Sequence, residues 1–100
     1  MISVIIPVYN DPQGLEATLA SLVVQNTSDL FEIIVADNGS IDHTQQVAND
    51  FEHRFPSLVR LVIESDQQGS YAARNKAIIN AKGKLLFFVD ADMVAPPDYL

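Results

Sequence analysis

The sequence predicts an α/β fold in three layers, with helices on both faces of a mainly parallel sheet of about four strands. Three observations carry that prediction. Apolar runs of strand length recur at 2–8, 32–36, 58–63 and 85–89, rich in Val, Ile, Leu and Phe and nearly continuous rather than alternating. Such runs fit strands covered on both faces. The segments between them carry helix signals, and the order β-α-β-α-β-α-β calls for right-handed crossovers between parallel strands. The chain reads as a Rossmann-like half.

The elements follow in order. After the first strand, Asp11 is a natural N-cap and Pro12 suits the first helical position, with Leu15, Leu19, Leu22 and Val23 forming an apolar stripe. The second helix is expected to begin at Asp42, to turn Val47, Ala48, Phe51 and Phe55 inward, and to end before Pro56. A third is expected from Ser70 to Lys82, stopped by Gly83 as a C′ residue. Pro96-Pro97-Asp98 resembles the start of a fourth helix. Between the third strand and helix, ESDQQG at 64–69 is polar and turn-forming, and serves equally well as a mobile loop beside a ligand or as a plain connection.

One hundred residues, 48% hydrophobic and 19% charged, suit one globular domain at 1–100. Thirteen acidic against six basic side chains give a net charge of −7, with no basic cluster to follow a phosphate backbone, so no nucleic-acid partner is expected. The absence of cysteine excludes disulfides, thiolate zinc sites and cysteine nucleophiles. His43 and His53 fit solvated helix-surface positions better than a ligand pair. The opening ISVIIPV is far shorter than the roughly 18 residues of a membrane span and lacks signal-peptide flanks. A cytoplasmic location is expected, or membrane association within a longer parent.

The most telling run is LLFFVDADM at 85–93, an apolar strand delivering Asp90 and Asp92. If the strand persists, both carboxylates share a side while Ala91 points away, a hard-oxygen pair suited to Mg²⁺ or Mn²⁺. A cation there would let an acidic protein hold phosphate. On the triplet alone, a solvated acidic turn is an equally good reading. Other polar groups also fall at strand ends: Tyr9-Asn10, Asp37-Asn38, and Gly69 onward. Parallel sheets bind ligands beyond the carboxyl ends of their strands, so this convergence outweighs any single motif.

Four stretches, SVIIPVYN at 3–10, EIIVADNGSIDHT at 32–44, GSYAARNKAI at 69–78 and FFVDADM at 87–93, together resemble the nucleotide-binding half of an inverting family 2 glycosyltransferase of the GT-A fold. The resemblance implies strand order 3-2-1-4 and a nucleoside diphosphate sugar as ligand, UDP-sugar favoured and GDP- or dTDP-sugar next. It implies a divalent cation, Mg²⁺ or Mn²⁺, whose role is to stabilise the departing diphosphate. Asp92 would be the direct metal ligand, with Asp90 contacting the ribose or reaching the ion through water. Pro7 and Tyr9 would line the base, Asn10 would bond the ligand or shape the turn, and Asp37 would read the nucleoside while closing an Asx-turn. Gly69, Arg74 and Asn75 would form the anion-facing start of the third helix, the alternative for Arg74 being a salt bridge to an acidic loop.

The chain departs from the family pattern in places. Asn38 stands where relatives commonly carry a second acid, Met93 where some carry a third carboxylate, and Ala77 where Gly is frequent. Asp42 is expected to cap its helix. Asp98 reads as a cap rather than the base that inverting transfer requires, so no catalytic residue is assigned within 1–100. The expectation is a domain truncated after its Asp-x-Asp motif, serving hexose transfer to an acceptor hydroxyl in a full-length enzyme. The alternative is a non-catalytic nucleotide-binding or interaction module, dimeric through an open sheet edge. A haloacid-dehalogenase-like phosphatase would leave the three earlier motifs unexplained. A nicotinamide-binding domain is disfavoured because YNDPQG replaces the Gly-x-Gly-x-x-Gly turn.

Overall fold

The computed structural model describes residues 1–27, 29–66 and 70–100. Strands β1 (Ile2–Val8), β2 (Phe31–Asp37), β3 (Val59–Ile63) and β4 (Leu85–Phe88) form one parallel sheet in the order β3-β2-β1-β4. Helices α1 (Pro12–Leu22), α2 (Thr44–Arg54) and α3 (Ser70–Asn80) make the crossovers. The register aligns Val8 of β1 with Asp37 of β2, and Asp37 with Ile63 of β3, so these three strands end at one level. Chain order reverses direction between β1 and β4, which makes their carboxyl ends the switch point where a parallel sheet opens a crevice.

Alternation along the strands builds two cores. Val4, Ile6 and Val8 of β1 with Ile33 and Val35 of β2 meet Leu15, Leu19 and Leu22 of α1 and Ala48 and Phe51 of α2. On the other face Ile5, Ile34 and Ala36 meet Ala73 and Ala77 of α3. The first helix is capped as its sequence predicts: Gly14 N–H donates to Asp11 Oδ1 at 3.0 Å, with Pro12 in the first turn. Among the described residues no helix is long and apolar enough to cross a membrane.

A buried polar knot ties the amino ends of the strands together. Glu32 Oε2 accepts from Ser3 Oγ (2.6 Å) and Lys82 N–H (2.6 Å), and Glu32 Oε1 accepts from Arg60 Nη2 (2.9 Å). Burial opposes the charge on Glu32, but the bonds from Ser3, Lys82 and Arg60 together hold its carboxyl below the ordinary range.

Several expectations need correction. Helix α2 starts at Thr44, not at Asp42, because Asp42 works from one position further out: its Oδ1 accepts from Thr44 N–H (3.0 Å) and Thr44 Oγ1 (2.5 Å). Those bonds hold the Asp42 carboxyl below its usual value. Helix α3 ends at Asn80, short of Lys82: Ala81 N–H closes a last tight turn on Ile78 O, and the Lys82 and Gly83 amides are diverted into the polar knot. Gly83 is therefore not a helix cap but a point of close approach: a Cβ there would stand 2.6 Å from Ser3 Oγ and 2.7 Å from Ser3 N. Residues 96–99 form a turn closed by Tyr99 N–H to Pro96 O (3.0 Å), with no fourth helix.

The fourth strand also departs from its reading. It stops at Phe88, so the strand does not persist through Asp90 and Asp92. Nor is it covered on both faces: Leu85, Leu86 and Phe88 are 59%, 36% and 44% exposed, because α3 packs over β1, β2 and β3 and leaves β4 as a bare edge. The later part of the loop at 64–69 lies outside the described residues.

Candidate functional site

Beyond the ends of β1 and β2, a cavity of about 140 Å³ is lined by Pro7, Val8, Tyr9, Asn38 and Ala73. Half-exposed Tyr9 offers its ring to this space. Two loops stand over it and are stitched to each other: Asn10 N–H donates to Ser40 Oγ (2.9 Å), and Ile41 N–H donates to Asn10 Oδ1 (3.0 Å). Asn10 holds a left-handed backbone at φ 50°, which an Asn tolerates better than most residues. It is thus a turn residue that also joins the two strand ends.

Asp37 is fully buried and organises the loop at 37–40. Its Oδ2 accepts from the backbone N–H of Gly39 (3.0 Å) and Ser40 (2.9 Å) and from Gln45 Nε2 (2.9 Å), while Ser40 Oγ donates to Oδ1 at 2.5 Å. Gly39 completes the turn at φ 82°. The Asx-turn expected of Asp37-Asn38-Gly39-Ser40 is present, with Gln45 of α2 as a partner that local sequence did not suggest. Asn38, at the rim of the cavity, is the loop's nearly buried contribution to its wall.

The two carboxylates of the Asp-x-Asp motif lie on a turn closed by Met93 N–H to Asp90 O (3.1 Å). The strand has ended, so its alternation does not set their direction; Asp90 and Asp92 are both exposed while Ala91 and Met93 pack against the core. Buried Thr18 of α1 donates its hydroxyl to Ala91 O at 2.7 Å, a contact the sequence reading missed. Among the described residues no group of three or more His, Cys, Asp or Glu forms a ready-made metal cage.

Arg74 sits on α3 with its guanidinium over the Phe88 ring, 5.5 Å from the centroid, just before the carboxylate turn. Among the described residues it forms no ion pair, so the alternative of a salt bridge to an acidic loop is not seen, and its buried Nε lacks a hydrogen-bond partner. Asn75 is not brought to the Tyr9 cavity; it lines a separate depression with Glu64, Asp66, Ala72, Lys76 and Ile79. Gly69 lies outside the described residues. Pro7, Tyr9, Asn10, Asp37, Arg74, Asp90 and Asp92 all fall at the carboxyl end of the sheet or on the helix turn facing it.

Known proteins are similar to this chain in sequence and fold. The chain is 41% identical over 92 residues to glycosyltransferase AglE of Haloferax volcanii, covering 91% of this chain and 30% of that protein. A mannosyltransferase, PcManGT, from Pyrobaculum calidifontis, solved in complex with GDP-Man and Mn²⁺, superposes with a TM-score of 0.85 at 31% identity over 95% of this chain and 28% of that one. S. aureus TarS in complex with UDP superposes with a TM-score of 0.81 at 29% identity, over 97% of this chain and 29% of the other. The chain thus spans less than a third of each of these three proteins. The family model of Glycosyl transferase family 2 matches residues 3–100, essentially every element that builds the sheet and its carboxyl-end loops. On this match, and on the parallel β3-β2-β1-β4 sheet with its strand-end motifs, the chain belongs to glycosyltransferase family 2, as a domain of the GT-A fold.

Proposed function

We propose that this domain binds a nucleoside diphosphate sugar together with a divalent cation and serves hexose transfer to an acceptor hydroxyl. The observation that carries the reading is that the β1/β4 switch point gathers a cavity lined by Tyr9, an Arg74 without an ion pair among the described residues, and two exposed carboxylates. Pro7 and Tyr9 would flank the base, the loop held by Asp37 and Asn10 would face the nucleoside, and Arg74 would meet phosphate charge. UDP is the favoured nucleotide and GDP the next. The PcManGT complex with GDP-Man and Mn²⁺ and the TarS complex with UDP support this ligand class.

The donor set fits a hard cation. Asp92 and Asp90 on one turn would supply two carboxylates to Mg²⁺ or Mn²⁺, and Met93 would add no hard ligand. When bound, the cation would act as a Lewis acid on the diphosphate leaving group. The test is calorimetric titration with UDP and GDP, each with and without MnCl₂, on the chain and on Asp92→Ala. Metal-dependent binding that is lost in Asp92→Ala is expected; binding indifferent to both metal and mutation contradicts the role of the pair.

A second reading has its own observation. The bare apolar strand β4, with Leu85, Leu86 and Phe88 exposed, suits an interaction module that pairs through its edge. Sedimentation analysis showing a dimer that binds no nucleotide would favour it.

A further inference from the structure

We infer that Thr18 is a positioning residue for the Asp90 and Asp92 carboxylates, and that Thr18 and Ser21 of α1, with Gln25 just past its end, form a polar track on which the segment 91–100 is laid. Thr18 is fully buried, and its hydroxyl donates to Ala91 O at 2.7 Å, with Asp90 O further off at 3.4 Å. Ser21 Oγ accepts from Ala95 N–H (2.9 Å) while donating to Thr18 O (2.8 Å). Gln25 spans the remainder, its Nε2 donating to Pro96 O (2.7 Å) and its Oε1 accepting from Leu100 N–H (2.9 Å). Thr18 and Ser21 lie three apart on α1 beside the Leu15-Leu19-Leu22 stripe, so one surface of the helix is apolar and its flank reads backbone, with Gln25 continuing just beyond the helix end.

The track acts on the carboxylates through Ala91. Its carbonyl is pinned by Thr18 and its side chain packs on the core, so the backbone on either side is held and both flanking carboxylates project to solvent. A small octahedral cation demands such placement, because its ligand distances tolerate little error. Among the described residues the Thr18 hydroxyl bonds only the carbonyls of this turn. Its loss is therefore expected to fall far more on the metal-dependent share of binding than on the metal-free share, a split that a merely structural residue would not produce. This inference rests on the metal reading proposed above.

The test titrates UDP and GDP, with and without MnCl₂, into the chain, Thr18→Val, Thr18→Ser and Asp92→Ala. Thr18→Val keeps the shape and removes the donor; it is expected to weaken the Mn²⁺-supported affinity about tenfold, in the range usual for outer-shell groups of metal sites. Metal-free affinity changes far less, and Thr18→Ser, which keeps the hydroxyl, restores most of the loss. Amide exchange in Thr18→Val rises at Met93 and Ala95 with Val35 unchanged. Equal loss with and without metal, or no loss where Asp92→Ala abolishes metal dependence, overturns the role of Thr18 alone. Asp92→Ala without effect overturns this inference together with the metal reading. If Thr18→Val does not fold, Ser21→Ala carries the test: loss of the metal-supported share alone supports the track, and unchanged affinity overturns it.

Discussion

Replacing Glu32 by Gln keeps the size and shape of the side chain while removing its charge and one of its two acceptor oxygens. Three donors, Ser3 Oγ, Lys82 N–H and Arg60 Nη2, converge on the two carboxylate oxygens. An amide has one oxygen, so its NH₂ must confront a donor on one side. If it turns to Arg60, that guanidinium keeps Asn80 O (2.7 Å) and, at 31% side-chain exposure, also reaches water. If it turns the other way, fully buried Ser3 and the Lys82 amide lose their acceptor together. The first arrangement is milder, and losing a charge-assisted bond plus one poorly satisfied donor costs about 2–3 kcal/mol. For a domain of this size that lowers the melting temperature by roughly 10–20 °C.

Urea denaturation followed by circular dichroism checks the magnitude, and its pH dependence checks the cause. The folded-state pKa of Glu32 lies below the unfolded one, so its stabilisation is present above the unfolded value and is lost as pH falls through the folded value. Glu32→Gln is expected to flatten that acid limb and to narrow its deficit against the native chain below it. A deficit under about 1 kcal/mol at pH 7, or an acid limb identical in the two proteins, would refute the reasoning.

Gly83→Ala is expected to destabilise by about 2–3 kcal/mol, because the added Cβ meets backbone as well as Ser3 Oγ; urea midpoints of the two proteins check it. Asp37→Asn removes acceptors from a loop in which four donors meet one carboxylate, and a loss of about 2–3 kcal/mol is expected, with nucleotide affinity falling in parallel. Tyr9→Ala is expected to weaken nucleotide binding by about 1–2 kcal/mol with stability nearly unchanged, since its ring is half exposed beside the cavity; paired calorimetry and melting curves separate the two.

Much of the fold was legible because local and global signals agree. Asp11-Pro12 states where α1 begins, and the Leu stripe at 15, 19 and 22 states what it buries. Strands β1 and β2 read as continuous apolar runs because both faces are covered, and the strand order 3-2-1-4 implied by the family resemblance is the one observed. The same apolar pattern in β4 concealed its exposure, since edge or centre is decided by which strand a helix covers rather than by the strand's own residues. Gly83 was misread because a glycine before a strand suits a helix cap and a close approach equally well. Of the two readings of Asp90 and Asp92, the acidic turn is the one the backbone adopts, because the strand ends at Phe88 and Met93 N–H closes on Asp90 O. Thr18, Ser21 and Gln25 were passed over for a different reason: their partners are backbone groups more than seventy residues away, which carry no side-chain signature. The spacing of Thr18 and Ser21 beside an apolar stripe was the signal available.

The central claim is that nucleotide and cation meet at the carboxyl ends of β1 and β4. Amide NMR spectra of the chain with UDP, with MgCl₂ and then with substoichiometric MnCl₂, test it most directly, since Mn²⁺ broadens only what lies near it. Signals of 90–93 are expected to vanish first, with Tyr9, Asn10 and Ala73 following, while Ser3, Glu32 and Lys82 at the opposite end of the sheet stay sharp. Broadening centred on that opposite end, or spread evenly over the acidic surface, would contradict the account.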